Sequence, residues 1–191
     1  ERGDRKIKDL NLERVQELDL KNHMIRVAEY AEIMGNLLYL DNREIKLLKK
    51  GALFHDIGKI LVDKDILNKS SQLTKEEFEK VKEHSSLGLK VLNEEYKNEV
   101  IENIILFHHE KWNGKGYPLG LTGKNIPLEA RIVSVVDCYD ALTSKRAYKN
   151  KMSHEEALKI LKEESGICFD PDIISIFELF ENKFRQMLSK Y

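Results

Sequence analysis

The segment FHDIGKI, from Phe54 to Ile60, places a histidine, an aspartate and a lysine in an otherwise apolar run. An apolar face of helical spacing begins upstream at Ile45 and continues to His55 and Asp56. Both side chains are therefore expected to point inward, where an ionisable group costs free energy unless a partner or a metal compensates it. The segment predicts a helix whose buried face carries polar groups with a chemical role.

Other predicted helices also carry polar residues on their inward faces. His23 lies four residues before an apolar stripe, and His84 comes four residues before a glycine that permits close approach. His108 and His109 end the run IENIILFHH, while Asp137 lies in RIVSVVDCYDAL, which is apolar all round. One inward histidine is usually a hydrogen-bonded core residue, but here five of the six histidines and two aspartates share this placement. Left uncompensated, they would outweigh the ~5–15 kcal/mol that stabilises a domain, so the pattern indicates a metal centre.

The number of candidate ligands predicts two metal ions, because one catalytic ion needs only three or four protein groups. Asp56 is the expected bridge, since the adjacent His55 can bind only one ion. Two ions ~3.5–4 Å apart favour in-line displacement at phosphorus, with a bridging hydroxide as the nucleophile. Lys59, one turn past Asp56, is expected to contact a phosphate oxygen or to balance carboxylate charge; the alternative is a surface lysine.

The rest of the sequence predicts an all-α domain of seven or eight helices. The first 117 residues contain no proline, the strongest helix breaker. Four positions have the sequence of a helix N-terminus: Asp41, Thr74, Ser153 and Asp170. The first three are followed by glutamate at capping-box spacing and the last by proline. His154, which directly follows one of these starts, is expected at the surface.

Residues 111–127, KWNGKGYPLGLTGKNIP, predict a long loop, with four glycines and two prolines in 17 residues. A loop of this length inside a helical domain is usually functional or disordered, and the flanking helices favour function. Trp112 and Tyr117 could stack on a base or could pin the loop to the core.

Composition limits the function classes. The 191 residues fit one domain, and the net charge of -1 does not indicate nucleic acid or anionic membrane as a partner. The two cysteines, Cys138 and Cys168, form no disulfide or metal pattern and fit the cytoplasm. No apolar run approaches the ~18 residues of a membrane span, and no secretory signal is visible. The segment from Lys111 to Lys151 contains eight basic and only three acidic residues. This excess of positive charge suits an anionic substrate or a solvated basic surface.

An ordered set of residues resembles the HD superfamily of metal-dependent phosphohydrolases: His23, His55, Asp56, Lys59, His84, His108, His109 and Asp137. The segment HHEKWNGKGYPLGLTGKNIPLEARIVSVVDCYDALTSKRAY is similar to the signature of its HD-GYP branch. The resemblance implies a single HD-type helical domain at residues 20–191. Residues 1–19 would then be a lead-in helix or linker from an upstream domain. It also implies a bacterial signalling enzyme that hydrolyses cyclic di-GMP to pGpG or GMP with iron or manganese.

The resemblance also implies roles for individual residues. One ion would be held by His23, His55, Asp56 and Asp137, and the second by Asp56, His84, His108 and His109. Tyr117 would lie at the substrate, and Arg146 and Lys149 would contact its phosphates. Asp140, three residues after Asp137, is expected to orient a ligand histidine or to cap a backbone group.

Three positions depart from the family pattern. Asn113 stands where aspartate is common, and Ala147 replaces a proline between Arg146 and Tyr148. Asp19 stands where members with a third metal ion carry glutamate, so the binding of a third ion is left open.

Three functions stay open: a cyclic di-GMP phosphodiesterase, a phosphohydrolase of another nucleotide or cyclic dinucleotide, and a catalytically inactive module that binds a ligand or partner. The intact ligand set and the Gly-Tyr-Pro loop favour the first. Because the chain begins with Glu1 rather than methionine, an upstream sensory or regulatory domain is expected. The oligomeric state stays open, a homodimer included, and neither DNA binding nor a membrane span is expected.

Overall fold

The structure, a computed structural model, describes residues 18–69, 71–144 and 151–190, with side chains from Leu20 onward. Within these ranges the chain forms ten α-helices: α1 (Leu18–Leu37), α2 (Asn42–Phe54), α3 (Lys64–Leu67), α4 (Lys75–Lys82), α5 (His84–Val91), α6 (Glu99–Phe107), α7 (Leu128–Thr143), α8 (His154–Glu163), α9 (Pro171–Leu179) and α10 (Glu181–Leu188). A 3-10 turn at Ile57–Leu61 follows α2. No strand forms in these ranges, which confirms the predicted all-α class. None of the described helices is both long and apolar enough to cross a membrane.

The predicted helix starts are confirmed. Asp41, Thr74 and Ser153 each accept a hydrogen bond from the backbone of the glutamate three residues on, whose side chain accepts one in return. Asp170 accepts a hydrogen bond from the backbone of Asp172, and proline occupies the first position of α9. These caps satisfy backbone N–H groups that have no partner within the helix.

The seven or eight predicted helices correspond to the ten observed ones, with short breaks between some of them. Glu83 alone separates α4 from α5, and its backbone stays helical, with φ -62° and ψ -18°. Phe180 alone separates α9 from α10. The helix α3 is a single turn of four residues. Apolar periodicity continues across such breaks, so the sequence pattern cannot resolve them.

Helix α7 lies at the centre of the domain and packs against α1, α6, α8 and α9. Its apolar side chains are buried on several sides, as predicted, with Ile132, Val133, Val136 and Tyr139 at 0% exposure. The predicted stripe on α1 is also inaccessible to solvent: Val27, Tyr30, Ala31 and Met34. Helices α1 and α7 also carry polar residues, His23 on α1 and Asp137 and Asp140 on α7. The packing of the two helices therefore determines where these polar side chains meet.

The expectation that His154 lies at the surface is wrong. The side chain is buried, and its Nδ1 lies 2.7 Å from the hydroxyl of Tyr139 on α7. Its Nε2 lies 3.4 Å from a carboxylate oxygen of Glu181 on α10. The capping box correctly places the start of α8, but the packing of α8 against α7 turns its first side chain inward.

The 3-10 turn packs against α5 at unusually close range. A Cβ at Gly58 would lie 1.9 Å from the carbonyl oxygen of His84 and 2.6 Å from the backbone nitrogen of Gly88. These contacts confirm the close approach expected near the glycine that follows His84. Because Asp56 directly precedes the turn and His84 begins α5, this contact brings the two side chains together.

We predict that Gly58→Ala destabilises the domain, because the added methyl group meets rigid backbone rather than a side chain that can move away. Overpacking of this kind costs about 3 kcal/mol. In a domain of this size, the melting temperature should fall by about 6–12 °C. Thermal unfolding followed by circular dichroism measures the shift.

Gly35→Ala is the matched control. Gly35 lies within α1, and its nearest neighbours are the movable side-chain atoms Cδ2 of Leu48 and Cγ1 of Ile45. The gain in helix propensity should offset their small displacement. If Gly58→Ala melts at the wild-type temperature, the close approach is not required for the fold.

Candidate metal centre

Asp56 lies between two groups of histidines and is 2% exposed. Its Oδ2 lies 3.4 Å from Nε2 of His55 and 3.8 Å from Nε2 of His23. Its Oδ1 lies 3.3 Å from Nε2 of His84 and 3.8 Å from Nε2 of His108. The two oxygens of one carboxylate therefore face two different sets of imidazoles.

The first group also contains Asp137 of α7. Its Oδ1 lies 3.1 Å from Nε2 of His23 and 3.8 Å from Nε2 of His55. Helix α1, the end of α2 and helix α7 thus bring together the four residues that the resemblance assigns to one ion.

The second group also contains His109. One potential ligand atom from each of Asp56, His84, His108 and His109 lies within 4.8 Å of the others. His84 opens α5, and His108 directly follows α6. The structure thus also gathers the residues that the resemblance assigns to the second ion.

Backbone carbonyls fix the ring orientation of three of these histidines. The Nδ1 atoms of His55 and His84 lie 2.7 and 2.6 Å from the carbonyl oxygens of Ala52 and Val81. Nδ1 of His108 lies 2.9 Å from the carbonyl oxygen of Ile104. A carbonyl only accepts, so each Nδ1 donates and each Nε2 keeps its lone pair for the cluster. Metal-binding histidines are held in this way.

His23 is oriented by a carboxylate instead. Its Nδ1 donates to Oδ2 of Asp140 at 2.7 Å, and Arg26 donates to both oxygens of Asp140 at 2.7 and 2.9 Å. Asp140 is inaccessible to solvent. The predicted role of Asp140 as an orienting partner therefore agrees with the structure, which adds Arg26 as the residue that holds Asp140.

The electrostatics of the cluster favour cation binding. Burial acts to raise the pKa of Asp56, but Lys59 and His55 outweigh it and hold the pKa well below its ordinary value. Burial lowers the pKa of His84 to about 4 and that of His109 well below the usual range. At neutral pH the second group therefore offers the carboxylate of Asp56 and the neutral imidazoles of His84 and His109, which are the forms that bind metals.

A proton lies between His23 and Asp137. It occupies the position where Nε2 of His23 and Oδ1 of Asp137 could both bind a cation. Burial lowers the pKa of His23, but hydrogen bonds to Asp137 and Asp140 outweigh this effect and raise the pKa to about 9. The same hydrogen bond from His23 keeps the pKa of Asp137 below its ordinary value, against the effect of burial. Nε2 of His23 therefore carries a proton toward Asp137, and a metal would compete with that proton.

Two buried atoms at the centre of the cluster have no hydrogen-bond partner among the residues that the structure describes: Nε2 of His55 and Oδ1 of Asp56. An unpaired buried polar atom typically costs about 1–3 kcal/mol. Both atoms carry lone pairs, so a divalent cation would satisfy them together. Imidazole and carboxylate donors without a thiolate fit a first-row transition metal. The cluster is therefore a buried site that could bind metal.

Lys59 contacts the cluster directly. Its Nζ lies 2.5 Å from Oδ2 of Asp56, and its side chain is only 25% exposed. The alternative of a solvated surface lysine does not describe this position. In the structure Lys59 balances carboxylate charge, which is one of the two roles expected from its spacing.

Tyr117 brings the loop at residues 111–127 to the second histidine group. Its ring stacks on that of His109, with centroids 4.8 Å apart and an interplanar angle of 29°. The loop is ordered: Asn113 pairs with Thr122, and the backbone N–H of Tyr117 donates to the carbonyl of His109. The structure thus places Tyr117 beside the second histidine group, and its contact with the substrate stays a prediction.

Glu110, which the sequence reasoning missed, holds this loop in place. The side chain is 2% exposed, and its carboxylate accepts backbone hydrogen bonds from Leu119, Gly120 and Leu121 at 2.7, 3.0 and 3.0 Å. The available signal was an acidic residue directly after the His108–His109 pair, ahead of a glycine-rich segment with many unpaired N–H groups.

The other candidate residues lie elsewhere or outside the described residues. Trp112 borders a small cavity beside Ile126 and Phe169, and its backbone N–H donates to the carbonyl of Cys168, so this residue holds the loop against the core. Arg146, Lys149 and the side chain of Asp19 lie outside the described residues.

Comparison with known proteins identifies relatives over most of the chain. The family profile described as HD domain matches residues 9–173. A probable cyclic di-GMP phosphodiesterase of Vibrio cholerae is 37% identical over 186 residues, covering 89% of this chain and 42% of that protein. The 3'3'-cGAMP-specific phosphodiesterase 2 of Vibrio cholerae is 34% identical, covering 81% of this chain and 30% of that protein. The chain thus spans less than half the length of these curated relatives.

A solved structure shares the fold. The HDGYP protein of Bdellovibrio bacteriovorus superposes with a TM-score of 0.66 at 24% identity, covering 82% of this chain and 50% of that one. The fold, the histidine and aspartate cluster and the matched family profile agree with one another. The chain belongs to the HD domain family.

Proposed function

We propose that this domain is a metal-dependent phosphodiesterase that hydrolyses cyclic di-GMP to pGpG or on to GMP. The observation that carries the proposal is the position of Asp56, whose two oxygens face two separate histidine groups. Such an arrangement suits two ions that share one carboxylate, and two-metal sites are suited to displacement at phosphorus. Relatives named as cyclic di-GMP phosphodiesterases support this choice of substrate. We also propose that the domain acts in the cytoplasm, where its free cysteines would stay reduced.

We propose two divalent transition-metal ions per chain, with iron or manganese as the first candidates. His23, His55 and Asp137 would hold one ion, and the three remaining histidines the other, with Asp56 shared. When bound, such ions supply positive charge at the phosphate and lower the pKa of a coordinated water. A third ion would need Asp19, which is one methylene shorter than glutamate.

The protein side chains would bind and orient the substrate. The ammonium of Lys59 lies beside Asp56, so it would meet a phosphate oxygen once metal neutralises the carboxylate. Tyr117 would border the substrate from the loop that Glu110 holds. Arg146 and Lys149 would contact phosphates, because their charges suit an anionic substrate.

A second candidate is hydrolysis of cyclic GMP-AMP. The observation that favours it is the 34% identity to a relative named as specific for 3'3'-cGAMP. An inactive binding module fits less well, because the candidate ligands are all present and gathered in space.

We predict that the domain purified with metal supplied carries at least two transition-metal ions per chain. Asp56→Ala should lose both, because this carboxylate faces both histidine groups. Elemental analysis under anaerobic conditions measures the content. Asp65→Ala, an exposed aspartate near the same turn, is the control and should retain the ions. A wild-type content of one ion or none would contradict the two-ion assignment.

We predict that the metal-loaded domain converts cyclic di-GMP to pGpG or GMP, and that His55→Ala abolishes turnover. His154→Gln removes a buried histidine outside the cluster and should remain active. Separation of the products by chromatography, with cyclic di-GMP and 3'3'-cGAMP as parallel substrates, measures the preference. If only 3'3'-cGAMP is cleaved, the second candidate is correct.

We predict that Arg146→Ala and Lys149→Ala leave metal content unchanged, because neither side chain is a metal ligand at neutral pH. Loss of a charge-assisted phosphate contact should lower kcat/KM roughly tenfold to a hundredfold. Lys59→Ala should lower kcat more than it raises KM, since Lys59 touches the carboxylate at the cluster centre. Steady-state kinetics measure each change, with the exposed Lys151→Ala as control. Wild-type kinetics in both Arg146→Ala and Lys149→Ala would overturn the phosphate contacts.

A further inference from the structure

A row of side chains extends from the metal cluster toward the surface, on the side of α4. Tyr117 stacks on His109, and the Nζ of Lys82 lies 5.5 Å from the centre of the Tyr117 ring. The same Nζ lies 5.0 Å from the centre of the Phe78 ring, four residues earlier on α4. The ammonium of Lys82 therefore lies between two aromatic rings, one of which is in contact with a candidate metal ligand.

The packing of α4 does not account for this arrangement. None of the residues of α4 is buried, and Phe78 remains 46% exposed. The ion pair of Lys82 with Glu79, at 2.7 Å, involves a carboxylate side chain that is 68% exposed. Solvated pairs of this kind contribute little to stability. A large apolar ring and a cation are thus kept at the border of the site although the core does not require them.

The chemistry of this border matches a guanine base. Exposed aromatic rings stack on bases, and each stacking contact typically contributes about 1–3 kcal/mol. Guanine presents two acceptors on one edge, O6 and N7, which lysine and arginine recognise, whereas adenine replaces the first acceptor with an amino donor. A base that packs on Phe78 would bring this edge within reach of Nζ of Lys82.

We propose that Phe78 and Lys82 form a guanine-binding subsite, in which the ring of Phe78 stacks on the base and Lys82 donates to its O6 and N7. The proposal rests on the proposed hydrolysis of a guanine-containing cyclic dinucleotide and adds a specificity-determining pair on α4. Because Lys82 lies next to Tyr117, only the side chain of Tyr117 would separate the bound base from His109.

The test uses kinetics and binding with the metal-loaded domain. Lys82→Met keeps a long apolar stem without charge and should raise KM for cyclic di-GMP about tenfold, with kcat and metal content unchanged. Phe78→Ala should raise KM by a similar factor of about ten. Lys82→Arg should restore wild-type KM, since arginine donates to the same two acceptors. Lys80→Ala, an exposed lysine two residues away on α4, is the matched control and should behave as wild type.

An altered base separates direct recognition from a structural effect on Tyr117. Calorimetry compares a phosphorothioate analogue of cyclic di-GMP with its 7-deazaguanine counterpart, which lacks the N7 acceptor. Wild type should bind the 7-deaza compound about fivefold more weakly, and Lys82→Met should bind both compounds equally. Equal binding of the two compounds by wild type would overturn the contact to N7.

The outcomes also separate this subsite from the proposed function. If wild type cleaves cyclic di-GMP but Lys82→Met and Phe78→Ala share its KM, the subsite is wrong and the phosphodiesterase assignment stands. If wild type neither binds nor cleaves a guanine-containing cyclic dinucleotide, the proposed function fails and the subsite fails with it.

Discussion

The rest of the site depends on the buried carboxylate of Asp56. A charged group at 2% exposure is stable only where its surroundings supply compensating charge and hydrogen bonds. Here Lys59 supplies compensating charge, and histidines on several helices approach different oxygens with Nε2 atoms that could share a metal ion with the carboxylate. The helices are therefore arranged around one carboxylate, and the apolar contacts between them must be compatible with that arrangement.

Helix ends provide the geometry that this carboxylate requires. His55 and His108 directly follow the ends of α2 and α6, where a ring can turn back to a carbonyl of its own last turn. That hydrogen bond directs Nε2 into the cluster, and in α6 it adds to the bond that the carbonyl of Ile104 already accepts from the backbone N–H of His108. His84 uses the carbonyl of Val81 in the same way, at the start of α5. A contact within one helical turn thus orients each of these three rings.

The sequence predicts the parts of this design that follow from local periodicity. Inward helix faces correctly select His23 and His84, and capping residues such as Asp41 correctly locate helix starts. The burial of His154 and the role of Glu110 could not be predicted in this way. Both depend on contacts between segments distant in the sequence or on backbone groups of an irregular loop, which leave no periodic signal. The orientation of the rings likewise depends on carbonyl positions that only the folded backbone defines.

The buried carboxylate of Glu110 links the ligand set to the surface that the substrate would meet. Glu110 directly follows His109, so the same backbone that sets the position of this ring also sets the position of the carboxylate. Its three hydrogen bonds to Leu119, Gly120 and Leu121 then fix the loop, and the loop returns Tyr117 to the ring of His109. His109 is therefore connected to Tyr117 both through the backbone and through the contact between the two rings. A shift of His109 on metal binding would be transmitted to Tyr117. Under the proposed function, the segment from His109 to Leu121, which carries Glu110 and Tyr117, would couple metal binding to substrate recognition.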